Sequence, residues 1–439
     1  MDHAQQNVAP LAAYAFPQLP ELQLVLRIFS LLPVDQRLRC AEVSRAWRAT
    51  VALPALWRRV DLSRNNSGVE HFTPALLRAV VARAGGALTA LDVTDADFGA
   101  ADLTAALHAA SQLVEVRLGD PDPADSASLQ QVIDMLTAAP QLRELHSSVA
   151  CGSAHCVDLL EGRPLYRPLR LVGLTVLGQY TVLPRALVLA LSDTSLQPRL
   201  TRLSMIRADL HLPGALDAIA NAVVARGALT HLCLYSCLFP PSPAPALARA
   251  LLDGALTELN ISAVDVFLQQ HWPFPLDLAG AALLGDALRA SRALDSLALW
   301  NMPALAAPAV ATVIHSLVGH GKLCKLDLSF SHLADVTTTT ALTTLLVADA
   351  PALLELKLRG CVLGEAGMGL LCDALQRNSH LCSLDLDGNT ESMPIGFIRN
   401  RLLPAVRTNT GLRNLEVNSP ADEDDAAALA EALDILASR

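Results

Sequence analysis

The chain has 439 residues, 52% of them hydrophobic but only 4% aromatic, and carries a formal net charge of -10. That length leaves room for two or three compact domains, or for a repeat array with a small module, and the core must be layered from leucine and alanine rather than clustered around rings. The negative charge excludes a general nucleic-acid binder, which needs a basic surface to displace counterions.

Residues 1–15 read as a flexible N-terminus. The first 20 residues hold Asp2, His3, Gln5, Gln6 and three prolines, which is not the order of a secretion signal. Nine cysteines, an odd number, are scattered along the chain. They suggest no compact disulfide framework, so a reducing compartment, cytoplasmic or nuclear, is expected.

Residues 16–62 differ in character from the rest of the chain. They run through Leu19-Pro20-Glu21-Leu22 and Ile28-Phe29-Ser30-Leu31-Leu32-Pro33. They continue with Cys40-Ala41-Glu42-Val43-Ser44-Arg45-Ala46-Trp47 and end near Leu56-Trp57. Prolines delimit three short helices: Pro20 starts the first, Pro33 lies past its end, and Pro54 stops the third.

These spaced landmarks resemble the F-box family. The resemblance implies docking to a Skp-type adaptor and, through it, to a cullin ligase. Leu19, Pro20, Leu24, Ile28, Leu32, Pro33, Val34, Leu38, Val43, Trp47 and Trp57 would form the docking face or its support. The other reading is a helical cap on the first repeat, which solenoids need. Val60-Asp61-Leu62 runs almost directly into repeat-like sequence, so both roles are compatible.

From residue 63 to 439 a frame Leu-x-x-Leu-x-Leu recurs, as in Leu229-Thr-His-Leu232-Cys-Leu234 and Leu323-Cys-Lys-Leu326-Asp-Leu328. Twelve starts are found: Leu88, Leu113, Leu142, Leu171, Leu200, Leu229, Leu256, Leu294, Leu323, Leu353, Leu381 and Leu412. A step of 29 residues holds four times running from Leu113. Stretches with helical periodicity lie between the frames. Each unit therefore predicts a strand, a turn and a helix, and its leucines are buried only when neighbours stack.

The fold class expected is α/β: a leucine-rich-repeat solenoid, strands inside and helices outside, preceded by the three-helix module. The step length resembles the ribonuclease-inhibitor repeat class. That class places Asn or Cys at frame position nine, and only Cys237, Cys361 and Asn389 fit here. The weakest unit begins at Leu142, where Ser147 replaces the third apolar residue.

The 38-residue step from Leu256 to Leu294 implies an insertion holding Trp272 and Phe274, each followed by a proline. These rings either stand in an exposed loop or fold back onto the helix layer. Asp422-Glu423-Asp424-Asp425 opens a last helix, where carboxylates suit the macrodipole.

No catalytic constellation emerges. There is no Gly-x-Ser-x-Gly elbow, phosphate loop or His-Glu-x-x-His. Cys151, His155 and Cys156 lack the fourth ligand that tetrahedral zinc wants. The expectation is a non-enzymatic protein with no cofactor, no metal, no nucleic-acid partner and no membrane span.

The resemblance implies a substrate-recruiting subunit of a Skp–cullin–F-box ubiquitin ligase that binds an unknown protein target through its repeats. The alternative is a repeat scaffold or inhibitor whose F-box-like segment is a cap or acts outside ubiquitination. Alternation along the strands sends frame positions three, five and seven to the inner face. The candidate target-binding residues there are Leu177, Ile206, Tyr235, Trp300, Lys325, Lys357 and Arg359; the alternative is that these side chains pack against one another or against a C-terminal segment.

Overall fold

The structure, a computed structural model, describes residues 20–62, 73–93, 110, 112–118, 144–150, 170–177, 185–193, 200–265, 270–271, 274–302, 305–348, 352–389 and 393–439. Residues 1–15, Leu19, Cys151, His155, Cys156 and Trp272 lie outside them. The chain divides into two compact units, Met1–Arg143 and Glu144–Arg439.

In the first unit, helices α1 (Pro20–Leu31), α2 (Val34–Val43) and α3 (Arg45–Val51) precede a 3-10 turn at Pro54–Trp57 and strand β1 (Arg59–Asp61). Proline at the start of α1 sacrifices an N–H that no helix uses. Ser44 opens α3, its Oγ accepting the Trp47 N–H at 3.1 Å, and so satisfies one orphan donor. Helix α4 (Pro74–Ala84) and strands β2 (Ala90–Val93) and β3 (Glu115–Leu118) come after β1. Strand β1 pairs parallel with β2, and β2 with β3.

Strand β1 reveals a repeat unit that the leucine count passes over. Trp57, Val60 and Leu62 occupy frame positions one, four and six and are 0%, 2% and 0% exposed. A tryptophan stands where later units have leucine, so strand pairing begins at Arg59.

The second unit contributes β4 (Glu144–Ala150), β5 (Arg170–Leu177), β6 (Arg202–Ile206), β7 (His231–Tyr235) and β8 (Glu258–Ser262). A hairpin of β9 (Val264–Asp265) and β10 (Gln270–His271) comes next. Then come β11 (Ser296–Trp300), β12 (Lys325–Asp327), β13 (Glu355–Lys357), β14 (Ser383–Asp385) and β15 (Asn414–Glu416). Apart from the hairpin, each strand pairs parallel with the next in chain order. Irregularity falls in the weakest unit, where the β4–β5 register shifts between Leu145 and His146.

Helices such as Ala244–Asp253, Leu278–Ala290, Ala307–Ser316 and Val336–Val347 pack side by side as the second layer. Between the layers the frame leucines close the core. Leu232, Leu259, Leu326, Leu356 and Leu384 are all buried, each worth about 1.5–3 kcal/mol. Among the described residues no helix is long and apolar enough to cross a membrane.

Two polar ladders satisfy the backbone at the strand ends. At position nine, Cys237 Sγ donates to the Met205 carbonyl at 3.3 Å and Cys361 Sγ to Leu328 at 3.2 Å. Asn389 Nδ2 reaches the Leu358 carbonyl at 2.7 Å. Ser331 joins this ladder, its hydroxyl donating to the Leu299 carbonyl at 3.3 Å.

The second ladder lies three residues before the frames at Leu323, Leu381 and Leu412. His320 Nδ1 accepts from Leu323 N–H at 2.9 Å, and Asn378 Oδ1 accepts from Leu381 N–H at 2.8 Å. Asn409 Oδ1 accepts from Leu412 N–H at 2.7 Å, while its amide donates to the carbonyls of Leu375 and Asn378 at 2.7 and 2.6 Å.

Frame position eight turns left-handed after the strand. Arg207, Ser236, Asn301 and Phe330 have φ between 52° and 58°, and Gly360 has φ 59°. Non-glycine residues tolerate this because each amide finds the next unit: Arg207 N–H donates to Tyr235 at 2.8 Å and Phe330 N–H to Arg359 at 2.7 Å. At Gly360 space also demands glycine, since a Cβ would lie 2.8 Å from Phe330 Cδ1.

In the long step, the hairpin β9–β10 occupies part of the insertion. Phe274 folds back: it is 3% exposed and meets Phe239 edge-on, with ring centroids 4.9 Å apart. At the C-terminus, Asp422 caps helix Glu423–Ala437 by accepting Asp425 N–H at 3.0 Å. Asp425 is itself buried and accepts from Gly396 and Arg399 N–H at 2.7 and 2.9 Å.

Replacing Asn409 by Ala removes three hydrogen bonds from a buried corner. It should lower unfolding free energy by about 2–3 kcal/mol in urea titrations. Asn414→Ala, at an exposed strand position, should change it by less than about 0.5 kcal/mol.

Candidate adaptor-docking and target-binding surfaces

The helical module closes a small core and leaves an apolar surface over it. Phe29, Val34, Cys40, Val51 and Trp57 are buried. Trp57 Nε1 donates to the Val51 carbonyl at 2.7 Å, which fixes the end of α3 against the 3-10 turn. Outside this core, Ile28 is 48% exposed, Leu31 78%, Val43 65% and Trp47 40%. Ile28 and Leu31 share a face of α1 by their i, i+3 spacing. Phe29 meets Trp47 edge-on at 5.0 Å, which brings α1 and α3 together.

The residues expected for docking therefore sort by burial. Ile28, Val43 and Trp47 lie at the surface. Val34 and Trp57 are buried and support it. Leu32, Pro33 and Leu38 are half-buried. Pro20 and Leu24 lie on α1.

Leu31 and Arg37 are additions that sequence reading left unassigned. Leu31 was legible as the i+3 partner of Ile28. Arg37 was not, because its role depends on distant carbonyls. Its guanidinium is buried and donates to Ser30 and Leu32 at 2.6 and 2.7 Å, and to Leu56 and Arg59 at 3.4 Å. Burial lowers its pKa and Asp61 opposes that shift. The side chain thus ties the end of α1, the 3-10 turn and β1 into one body.

On the inner face of the second unit, strand register aligns Leu177, Ile206, Tyr235, Ser262 and Trp300 in one row. Ile206, Tyr235 and Trp300 are half-buried. Tyr235 and Trp300 meet edge-on with centroids 4.8 Å apart, and Trp300 Nε1 donates to Asn260 Oδ1 at 3.0 Å. Burial, then Cys233 and Asp327, raise the Tyr235 pKa. The Cys233 thiol, pushed up to about 12 mainly by burial, stays protonated and is no nucleophile at neutral pH.

The charged candidates stand beside this row and are exposed. Lys325 and Lys357 both face Glu355, at 3.5 and 3.2 Å, and Arg359 faces Asp387 at 2.8 Å. Burial pulls the Lys357 ammonium down, but the hydrogen bond and charge of Glu355, with Asp327 and Asp385, outweigh it and raise its pKa.

Comparison with known proteins bears on the helical module first. Residues 16–63 match the F-box-like family model. A curated relative, F-box/LRR-repeat protein 21 of Bos taurus, is 34% identical over 61 residues; the match spans 13% of this chain and 14% of that protein.

Similar solved structures share low identity with this chain. The yeast Rad7 and Elc1 complex matches with TM-score 0.38 and 15% identity over 66% of this chain and 67% of that one. The leucine-rich repeat-containing protein LegL7 of Legionella pneumophila matches with TM-score 0.36 and 13% identity over 79% and 91%. The tropomodulin C-terminal domain of Caenorhabditis elegans gives 0.32 and 15% over 37% and 95%. The chain joins an F-box-like module to leucine-rich repeats.

Arg37→Met keeps the apolar stem and strips the carbonyls of their donor. Hydrogen exchange of amides in α2 and β1 should report a loss of about 2 kcal/mol in local protection, with the amides of β12–β14 unchanged.

Proposed function

We propose that this protein is a substrate-recruiting adaptor subunit of a Skp–cullin–F-box ubiquitin ligase. Its helical module binds a Skp-type adaptor, and the inner face of its repeats binds a protein target. The observation that carries the reading is the exposed apolar set Ile28, Leu31, Val43 and Trp47, in a module whose core is already closed without them. A cap needs only buried contacts toward the repeat; an apolar face left open supports a partner. The match of residues 16–63 to the F-box-like family points to the kind of partner. On this reading the protein performs no covalent step and works in the cytoplasm or nucleus.

A second reading, a repeat scaffold or inhibitor with the module as its cap, draws support from one observation. Trp57 serves the module and the first repeat frame at once. The two readings part on adaptor binding.

Purified full-length chain should bind a Skp-type adaptor in a pull-down and by calorimetry. Ile28→Asp and Trp47→Ala should each weaken that binding by at least about 30-fold, as central anchors do, with circular dichroism unchanged. No adaptor binding by the full-length chain would leave the cap reading in possession, and undiminished binding by the double variant would overturn Ile28 and Trp47 as the docking face.

A further inference from the structure

The inner face of the second unit holds a buried polar atom in an unusual place. Ser262 is 0% exposed and its Oγ has no hydrogen-bond partner among the described residues. Strand register sets it between Tyr235 and Trp300. Leu259 and Ile261 are buried in the core, so alternation turns Ser262 toward the inner face.

Two strands that flank a third stand about 9.6 Å apart, yet the rings of Tyr235 and Trp300 are 4.8 Å apart, centroid to centroid. They lean together and meet above Ser262. A hydroxyl shut away without a partner is a standing cost in the free protein, and a ligand that donates to it removes that cost.

The surroundings select the charge of such a ligand. Lys325, Lys357 and Arg359 are already engaged with Glu355 and Asp387. Among the described residues Asp327, Asp385 and Glu416, at position five of their frames, make no ion pair within 4.0 Å, although Asp327 and Asp385 each accept a backbone N–H at 2.9 Å, from Ser329 and Asp387, and add to the field at Lys357. Asp327 lies on the strand next to Trp300, whereas Arg202 lies on β6, beyond β7 and β8. An indole face attracts a cation, and a guanidinium is planar enough to stack on it while donating N–H bonds at its edge.

We propose that Tyr235 and Trp300 form a gate over Ser262 that admits an arginine side chain of the protein target. The guanidinium stacks on the Trp300 indole, donates to Ser262 Oγ and has Asp327 as its counter-charge. This rests on the reading that the inner face holds the target, and it narrows that target to one presenting a basic segment.

The test is a random dodecapeptide library displayed on phage and selected on the full-length chain, with enriched peptides measured by fluorescence polarisation. An arginine should recur at a fixed position. Replacing it with citrulline, which keeps the shape and loses the charge, should weaken binding about tenfold. Trp300→Ala and Ser262→Ala should each weaken the arginine peptide by a similar factor, and Trp300→Phe by less.

Ser262→Ala should also raise the Tm of the free chain, because the orphan hydroxyl is gone. A role in packing alone gives no such pairing of higher stability with weaker binding. Peptides that need Tyr235 but carry no fixed arginine overturn the arginine gate and leave the inner-face reading standing. Peptides indifferent to Tyr235, Trp300 and Lys357 variants, or no peptides at all, overturn both.

Discussion

Parallel pairing between neighbouring frames is the constraint on which the rest of each unit depends. A strand of three to five residues cannot hold its leucines away from water by itself. Set beside another strand at the same register, Leu326 against Leu356 against Leu384, each buries its neighbour's flank. The helix that returns the chain then covers the other side. Everything exposed is left over from this arrangement: alternate strand positions on one face and helix backs on the other. The candidate binding row exists because registered pairing repeats one position along the sheet.

Much of this was legible in the sequence because leucine spacing is a direct image of strand register. The frames at Leu200, Leu229 and Leu256 lead to strands that begin two residues later in each case. The unit at Trp57 was hidden because a tryptophan read as a docking residue also fills the first core position of a repeat. Ser331 was passed over for a related reason. A hydroxyl can take the place of a thiol or amide in the position-nine ladder, and nothing in the residue type announces it.

The sites were less legible than the fold. Ile28, Val43 and Trp47 came from resemblance, and exposure separates them from Val34 and Trp57. Arg37 could not be found by spacing, since the carbonyls it gathers come from residues 30, 32, 56 and 59. Tyr235 and Trp300 fall in one row, and the sequence left open whether that row meets a target or packs on itself; their edge-on contact depends on the small side chain between them. The insertion before β11 shows the same dependence on tertiary context: Phe274 is in the core because Phe239 offers an edge.

Arg37 has a further consequence for the chain's behaviour in a crowded solution. Strand β1 pairs with β2 through alternate residues, so the carbonyl of Arg59 points to the side away from β2. An open strand edge of that kind is a template on which a second molecule can add its own strand. Here the Arg37 guanidinium donates to that carbonyl at 3.4 Å and so occupies one acceptor of the edge. The helices ahead of β1 thereby also guard a strand edge, and a proteolytic product cut between Trp57 and Arg59 would leave the Arg59 carbonyl open to a second chain.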